Sequence, residues 1–297
     1  MSFLSEDEEQ FLFEVRNDLL LGNSQGVINA GVSGGDGPTD LARVLLRVYT
    51  WRAFLAQGNI ATVLSEAKRD SDAPIEERAV AILATVQEDA LVDGAAADVK
   101  ALLAEGSSSP VVRLLAASAF LLTGDRDEAL RTLRGVTDLE CLALAVQVYL
   151  SMDRPDLAEK EVAAMAAIDE DATASQLAAA WVHIAHGGDR LQDAYYTFSE
   201  LQEKFGSTAM LLNSMAVINI HMGKFELAES QLLEALGKEP SNADTLANLI
   251  AVAQHRNKAP EITQRYLNQL RKVAPNHAWL QFTTGALNTF DRVKESV

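Results

Sequence analysis

The sequence has little of several features that large functional classes of protein require. One cysteine among 297 residues excludes an internal disulfide and suits a reducing compartment. Aromatic residues make up only 6%, too few for a surface that stacks nucleic-acid bases. Positive charge is scarce as well, because 25 lysines and arginines face 42 aspartates and glutamates, for a net charge of −17. We therefore expect no binding to nucleic acid or to an anionic membrane surface.

Long apolar runs and targeting segments are also absent from the sequence. The most apolar stretches are Val111–Leu122 and Cys141–Leu150, and Arg113 and Gln147 interrupt them. Neither approaches the roughly 18 apolar residues of a membrane-spanning helix. The first ten residues hold four acidic side chains and no basic one, unlike a signal or transit peptide. These absences predict a cytoplasmic protein that does not insert into a membrane directly.

Sequence motifs that carry chemistry are missing too. The chain has no GxxxxGK[ST] phosphate loop, no GxSxG nucleophile elbow and no HExxH zinc motif. His183 and His186 share helical spacing but have no third metal ligand nearby, and two glycines after them favour a helix end. Cys141 lies in an apolar segment without a neighbouring base, which favours a buried side chain over a nucleophile. The sequence therefore predicts no enzyme activity, no cofactor and no metal site.

What the sequence does contain is helical periodicity in a repeated frame. Apolar residues recur at spacings of three and four, and alanine is abundant, which favours helix and close helix packing. The clearest unit, Ala209–Asn242, has the 34 residues of a tetratricopeptide repeat. A glycine allows the turn between its two helices, and a proline ends the second helix. The residues predicted to pack this repeat and its weaker copies are Ala129, Ala158, Ala194, Ala216, Gly223, Ala228, Ala235 and Pro240.

This frame predicts an all-α fold, an α-α superhelix or α-solenoid of about seven tetratricopeptide-like helix pairs. We expect one domain over residues 1–297, with the clearest repeats in 110–275 and a capping helix from His277 onward. By composition, Gly31–Asp40 and Gly106–Pro110 are expected to be flexible loops. The weaker terminal copies predict helices at Phe11–Leu21, Gln25–Ala30, Val44–Gln57, Ile60–Arg69, Ile75–Gln87, Ala95–Glu105, Ala243–His255 and Pro260–Val273.

The first helix of each pair lines the concave face of such a solenoid, and here its outward positions are unusually apolar. An exposed apolar surface of this kind usually marks a protein interface, although each residue alone could simply extend the core. The predicted partner-binding groove consists of Val111, Leu114, Ser118, Leu121, Ala143, Gln147, Leu150, Met210, Asn213, Val217 and Ile220.

Several strings go beyond a generic repeat. The most specific is DEDATASQLAAAWVHIAHGGDRLQDAYYTFSEL at Asp169–Leu201. Others are FEVRNDLLLGNSQGVINA at Phe13–Ala30, RAFLAQG at Arg52–Gly58, LEC at Leu139–Cys141 and TLANLIAVAQHRNKAPEITQRYLNQL at Thr245–Leu270. Together these strings resemble the epsilon subunit family of coatomer, the COPI vesicle coat, and the resemblance spans nearly the whole chain.

The resemblance implies a non-catalytic structural subunit of the heteroheptameric coatomer complex. A family member is expected to bind the C-terminal domain of the alpha subunit and to support Golgi-to-ER retrograde and intra-Golgi transport. It would be cytoplasmic and peripheral on Golgi membranes and COPI vesicles, reaching the membrane through the coat and the Arf GTPase.

Two other functions stay open at this point. A different tetratricopeptide adaptor could bind a peptide tail in its concave groove, but clamping an acidic tail needs basic side chains beside Asn213 and Asn248, and none is evident. An enzyme on an α-helical toroid would need inward-facing acid pairs or a metal cluster, which the predicted first helices do not provide.

Overall fold

A computed structural model describes residues 5–33, 39–67, 72–89, 94–106 and 108–295. Within these ranges the chain forms seventeen helices and no strand, so the predicted all-α class is confirmed. In chain order they amount to eight pairs and a final helix, one pair more than expected. The helices are α1 Glu6–Leu20, α2 Ser24–Ser33, α3 Asp40–Ala56, α4 Ile60–Glu66, α5 Ile75–Glu88, α6 Ala95–Gly106, α7 Pro110–Leu122, α8 Arg126–Leu133, α9 Leu139–Ser151, α10 Pro155–Asp169, α11 Thr173–His186, α12 Arg190–Phe205, α13 Ala209–His221, α14 Phe225–Lys238, α15 Ala243–His255, α16 Pro260–Val273 and α17 Ala278–Glu295.

Local sequence signals set many of these boundaries. The predicted bounds of α15 and α16 are those found, because Asn242 caps the first and Pro260 starts the second. The Asn242 side chain accepts a hydrogen bond from the Thr245 backbone N–H at 2.9 Å. Proline is suited to the first helical position because its missing N–H would have no partner there.

The N-terminal boundaries differ from the prediction for local reasons. Helix α1 begins at Glu6 rather than Phe11, because Ser5 and Glu8 form a capping box. The predicted loop Gly31–Asp40 is shorter than expected, since α2 continues to Ser33 and α3 begins at Asp40. A Cβ atom on Gly31 would lie 2.1 Å from the Thr50 hydroxyl, so this glycine serves close helix contact. Residues 34–38 of the loop, and residues 68 and 69 of the predicted helix Ile60–Arg69, lie outside the described ranges.

Helices α1 to α11 belong to one compact unit, Met1–His186. Each helix of this unit contacts the next, and the odd-numbered helices α1, α3, α5, α7, α9 and α11 also contact one another in succession. Helix α11 in turn contacts α1, so the series of odd-numbered helices returns to its start. Two adjoining apolar clusters of this unit are centred on Phe120 and on Met165, both buried.

Helices α12 to α17 belong to a second compact unit, Gly187–Val297. Consecutive helices from α12 to α16 contact one another, and α13 also contacts α15. An apolar cluster around Leu232, Leu246 and Leu270 holds α14, α15 and α16 together, and Leu280 at the start of α17 joins it. The prediction of a single domain over residues 1–297 stays a prediction.

Tight turns between helices contain a residue with a positive φ angle in both units. Gly124 and Gly223 follow α7 and α13 with φ angles of 84° and 73°, a region in which side chains are strained. Asp153 and Asn257 occupy the corresponding places after α9 and α15, with φ angles of 57° and 50°. Aspartate and asparagine tolerate this conformation better than other residues do, so the repeat frame persists where the glycine is lost.

In the described part of the chain, no helix has the combination of length and apolar character that crossing a membrane demands.

Candidate partner-binding surface

Helix α13 is apolar over most of its circumference and has no acidic residue, lysine or arginine, which is unusual for a helix with a solvent-facing side. Leu212, Met215 and Ile218 face inward and are buried. On the opposite side lie four half-buried residues, which we call the α13 face: Met210, Asn213, Val217 and Ile220.

Polar groups on the α13 face are satisfied within the unit. The Asn248 side chain of α15 donates a hydrogen bond to the Asn213 side-chain carbonyl at 3.0 Å. The Ser214 hydroxyl donates to the Met210 backbone carbonyl at 2.9 Å. Neither α13 nor α15 contains a lysine or arginine. A partner meeting this surface would therefore encounter apolar side chains and an amide pair rather than charge.

The seven other groove residues lie in the first unit, on α7 and α9. Five of them are partly or fully exposed, and we call them the α7–α9 face: Val111, Ser118, Leu121, Gln147 and Leu150. The Ser118 hydroxyl donates to the Leu114 backbone carbonyl at 2.9 Å, so that its polar group is occupied locally.

Two of the predicted groove residues are instead part of the core. Leu114 is 5% exposed and Ala143 is 4% exposed. Helix α7 contacts α5, α6, α8 and α9, and its Leu114 packs in the cluster that they share. Ala143 packs with Ala174 and Ala178 of α11. Flanking helices cover both positions, so these two residues contribute packing and not an exposed lining.

The residues predicted to pack the repeats lie at helix contacts and at turns. Six alanines are completely buried: Ala129, Ala158, Ala194, Ala216, Ala228 and Ala235, each 0% exposed. Gly223 has the positive φ angle described above, and Pro240 follows the end of α14.

A polar cluster that the repeat pattern did not indicate lies inside the first unit. Arg52 of α3 forms an ion pair and a hydrogen bond with Glu140, in the first turn of α9. Arg16 of α1 lies 3.6 Å from Asp138, whose side chain caps α9. Tyr49 lies beneath the Arg52 guanidinium, with 5.9 Å from the guanidinium carbon to the ring centroid. Arg52 and Glu140 are 88 residues apart in the chain, and Arg16 and Asp138 are farther apart still, so no local sequence signal could have paired them.

Burial and charge compete in this cluster. Burial lowers the pKa of the Arg52 guanidinium, but Glu140 together with Tyr49 and Cys141 outweighs burial, leaving the pKa above its usual value. Burial also raises the pKa of the Tyr49 phenol, and the Glu140 carboxylate raises it further. Two buried guanidinium nitrogens, Arg16 Nε and Arg52 Nη1, have no acceptor among the described residues.

The lone cysteine is buried, as the sequence indicated. Cys141 is 1% exposed, and its thiol Sγ lies 3.4 Å from the Pro110 backbone carbonyl. Burial raises the pKa of this thiol to about 12, and the carboxylates of Asp138 and Glu140 add to the effect. A thiol with so high a pKa is protonated at neutral pH and is a poor nucleophile.

Other titratable side chains form ion pairs or hydrogen bonds at helix ends. The His186 ring lies 3.1 Å from a Glu159 carboxylate oxygen and 2.9 Å from the Val182 backbone carbonyl. The Asp169 carboxylate accepts hydrogen bonds from two backbone N–H groups that precede α11. Over the described ranges, no three histidine, cysteine or acidic side chains come together as a metal site.

Comparison with known proteins identifies the family. The sequence model of the coatomer epsilon subunit matches residues 8–297. Coatomer subunit epsilon-1 of Oryza sativa subsp. japonica is 38% identical over 293 residues, covering 96% of this chain and 98% of that protein. Coatomer subunit epsilon-1 of Arabidopsis thaliana is 35% identical over 288 residues, covering 96% of each chain.

A solved structure supports the fold independently. A tetratricopeptide repeat protein from Parabacteroides merdae has a TM-score of 0.55 at 12% identity, covering 94% of this chain and all of that one. The predicted α-solenoid of tetratricopeptide-like repeats is thereby confirmed. Coatomer epsilon subunits are structural components of the cytoplasmic COPI coat and not enzymes. The chain belongs to the coatomer epsilon subunit family and is a non-catalytic subunit of the COPI coat.

Proposed function

We propose that this coat subunit binds the C-terminal domain of the alpha coatomer subunit and thereby supports Golgi-to-ER retrograde and intra-Golgi transport. In this role it is peripheral on Golgi membranes and on COPI vesicles, and it reaches the membrane through the coat and the Arf GTPase. The observation that carries the proposal is the α13 face, on which Met210, Val217 and Ile220 stay partly exposed on a helix without an acidic residue, lysine or arginine.

An apolar face of this kind favours a lasting protein contact. Water around the three apolar side chains is released when a partner covers them, and that release contributes roughly 25 cal/mol for each Å² of apolar area buried. The α7–α9 face adds Val111, Leu121 and Leu150 in the first unit.

The alternative of an adaptor for acidic peptide tails has less support. Such a clamp uses lysine and arginine side chains that converge on the peptide. Helices α13 and α15 contain neither residue, and the amides of Asn213 and Asn248 bond to each other.

The proposal is tested by coexpression with the C-terminal domain of the alpha subunit, followed by size-exclusion chromatography and a binding titration. Val217→Asp together with Ile220→Asp is expected to raise the Kd by about 100-fold, because two carboxylates would be desolvated in place of apolar side chains. Circular dichroism should show that the variant stays helical.

Leu227→Asp is the matched control, since Leu227 is an exposed leucine on α14 of the same unit, 56% exposed. We expect its affinity to equal that of the unaltered chain. Separate elution of the two unaltered proteins, or equal affinity of the double variant and the control, would contradict the proposal.

A further inference from the structure

The side-chain amides of Asn213 on α13 and Asn248 on α15 form a pair on the surface of the second unit. The two helices contact each other, and the Asn248 amide nitrogen donates a hydrogen bond to the Asn213 side-chain carbonyl at 3.0 Å. Val217 follows Asn213 by about one helical turn, and Ala251 follows Asn248 in the same way. All four residues are half-buried, so the amide pair is a polar group flanked by partly exposed apolar side chains.

The hydrogen bond between the two asparagines leaves part of each amide unused. A side-chain amide has two N–H donors and a carbonyl oxygen that can accept two hydrogen bonds. Among the described residues, the Asn213 amide nitrogen has no acceptor and the Asn248 carbonyl oxygen has no donor. Neither atom belongs to the buried polar atoms that lack a partner, so water reaches both. A partner that covers this surface must therefore supply one acceptor and one donor in place of water.

Few chemical groups of a partner can supply both. A carboxylate only accepts, and a lysine or arginine side chain only donates, so each would leave half of the amide pair unsatisfied. The main chain of a helix is a poor match as well, because its N–H and carbonyl groups are bonded to each other within the helix. The main chain of an extended segment carries a free N–H and a free carbonyl at nearly every residue.

The apolar neighbours of the amide pair also favour an extended main chain. Serine, threonine, asparagine and glutamine side chains carry both functions, but each would take a position from which an apolar side chain could cover Val217 or Ala251. In an extended segment, side chains and main-chain groups point in different directions, so one segment can cover the apolar residues and bond to the amides together.

We propose that Asn213 and Asn248 bind the main chain of an extended segment in the C-terminal domain of the alpha subunit. The Asn213 amide donates to a main-chain carbonyl of the segment, and the Asn248 carbonyl accepts from a main-chain N–H. Apolar side chains of the segment cover Val217 and Ala251 on either side. This inference rests on the proposed binding of the alpha subunit and adds the conformation of the bound segment and the two residues that fix its register.

The first test replaces both amides by apolar side chains of similar size in the full-length chain. Asn213→Leu with Asn248→Leu is expected to raise the Kd for the alpha C-terminal domain about tenfold, because two main-chain groups of the partner lose their hydrogen bonds. Circular dichroism should show an unchanged helix content. If the asparagines made no polar contact with the partner, two leucines would enlarge the apolar surface, and an equal or lower Kd would overturn the proposal.

A second amide pair of the same unit provides the matched control. The Gln264 side-chain nitrogen on α16 donates to the Asn268 side-chain carbonyl at 2.9 Å, and both residues are exposed. Gln264→Leu with Asn268→Leu should leave the Kd unchanged. An equal loss of affinity in the two double variants also overturns the proposal.

The second test distinguishes main-chain from side-chain recognition. Hydrogen exchange of the alpha C-terminal domain is measured at saturating concentrations of the unaltered chain and of the Asn213→Leu, Asn248→Leu variant. We expect one short segment of the alpha subunit to exchange about tenfold faster in the complex with the variant, relative to the other amides that binding protects. Weaker binding with no such local change means that the asparagines bind partner side chains, and it overturns the proposal.

The two proposals fail in different ways. Separate elution of the two unaltered proteins contradicts the binding of the alpha subunit, and with it this inference. A normal complex that the leucine variant forms with equal affinity contradicts only the main-chain contacts of Asn213 and Asn248.

Discussion

Alanine sets the distance between helices at the closest contacts of this chain. Ala216 on α13 and Ala228 on α14 are both completely buried, and these two helices make the repeat that the sequence marks most clearly. Because protein interiors are closely packed, two helices that meet at alanines leave no room between their backbones for a longer side chain. The same holds for Ala129, Ala158 and Ala194 in the other repeats.

We predict that Ala228→Arg lowers the free energy of unfolding by at least about 3 kcal/mol, because overpacking adds to the cost of an unpaired buried charge. Guanidinium denaturation with an unchanged m-value measures the loss. Ala166→Arg on the exposed side of α10 is the control, and its expected change is within about 0.5 kcal/mol. Equal midpoints for the two variants would show that α13 and α14 do not pack closely at Ala228.

At the scale of helices, ion pairs connect elements that successive repeat packing does not. The Arg52–Glu140 pair joins α3 to α9, and the Arg16–Asp138 pair joins α1 to the cap of α9. The Glu140 side chain is 9% exposed and that of Arg52 is 17% exposed, so water reaches both charges poorly and each is stabilised by the other. These contacts, together with that between α11 and α1, hold together helices that are distant in sequence.

We expect Arg52→Met and Glu140→Gln each to lower the free energy of unfolding by about 2–4 kcal/mol, since each leaves a mostly buried polar group without its partner. The double variant should lose less than the sum of the two, with a coupling of at least about 1 kcal/mol by chemical denaturation. The exposed pair Arg154–Asp156 is the control, with no measurable coupling expected. If the losses in the free energy of unfolding were additive, Arg52 and Glu140 would not be energetically coupled, and the prediction would be wrong.

At the scale of the whole molecule, the excess of negative charge is unevenly distributed along the sequence. All of this excess lies before residue 259, where 39 acidic residues outnumber 20 basic ones, and residues 259–297 hold more basic than acidic residues. Helix α13 carries no acidic or basic residue except His221 in its last turn. The proposed contact of the α13 face with the alpha subunit is therefore apolar in a chain of net charge −17. At 0.1 M salt, interactions between exposed charges that are more than about 10 Å apart are largely screened, and apolar contacts are largely unaffected.

The Kd for the C-terminal domain of the alpha subunit is accordingly predicted to change by less than about threefold between about 0.15 M and about 0.5 M sodium chloride. Titration calorimetry at both salt concentrations measures it. A tenfold or greater weakening would mean that charged groups, and not Val217 and Ile220, dominate the interface.

Much of the fold could be predicted from local patterns. The 34-residue frame, the buried alanines and caps such as Asn242 place the helices, because they depend on residues a few positions apart. The frame also placed the α13 face, whose four residues are all partly exposed. It did not indicate that Phe282, Leu287 and Phe290 of α17 are exposed, because exposure depends on which helices pack nearby.

The sequence by itself determined the all-α class, the repeat, the family and the absence of familiar catalytic motifs, since periodicity and composition are local properties. Only the tertiary structure decided which apolar residues are core and which are surface. Leu114 and Ala143 occupy outward positions by spacing and are nevertheless buried, because flanking helices cover them. The same dependence on distant segments explains the pairing of Arg52 with Glu140, since burial and ion pairing are set by whichever helices pack nearby.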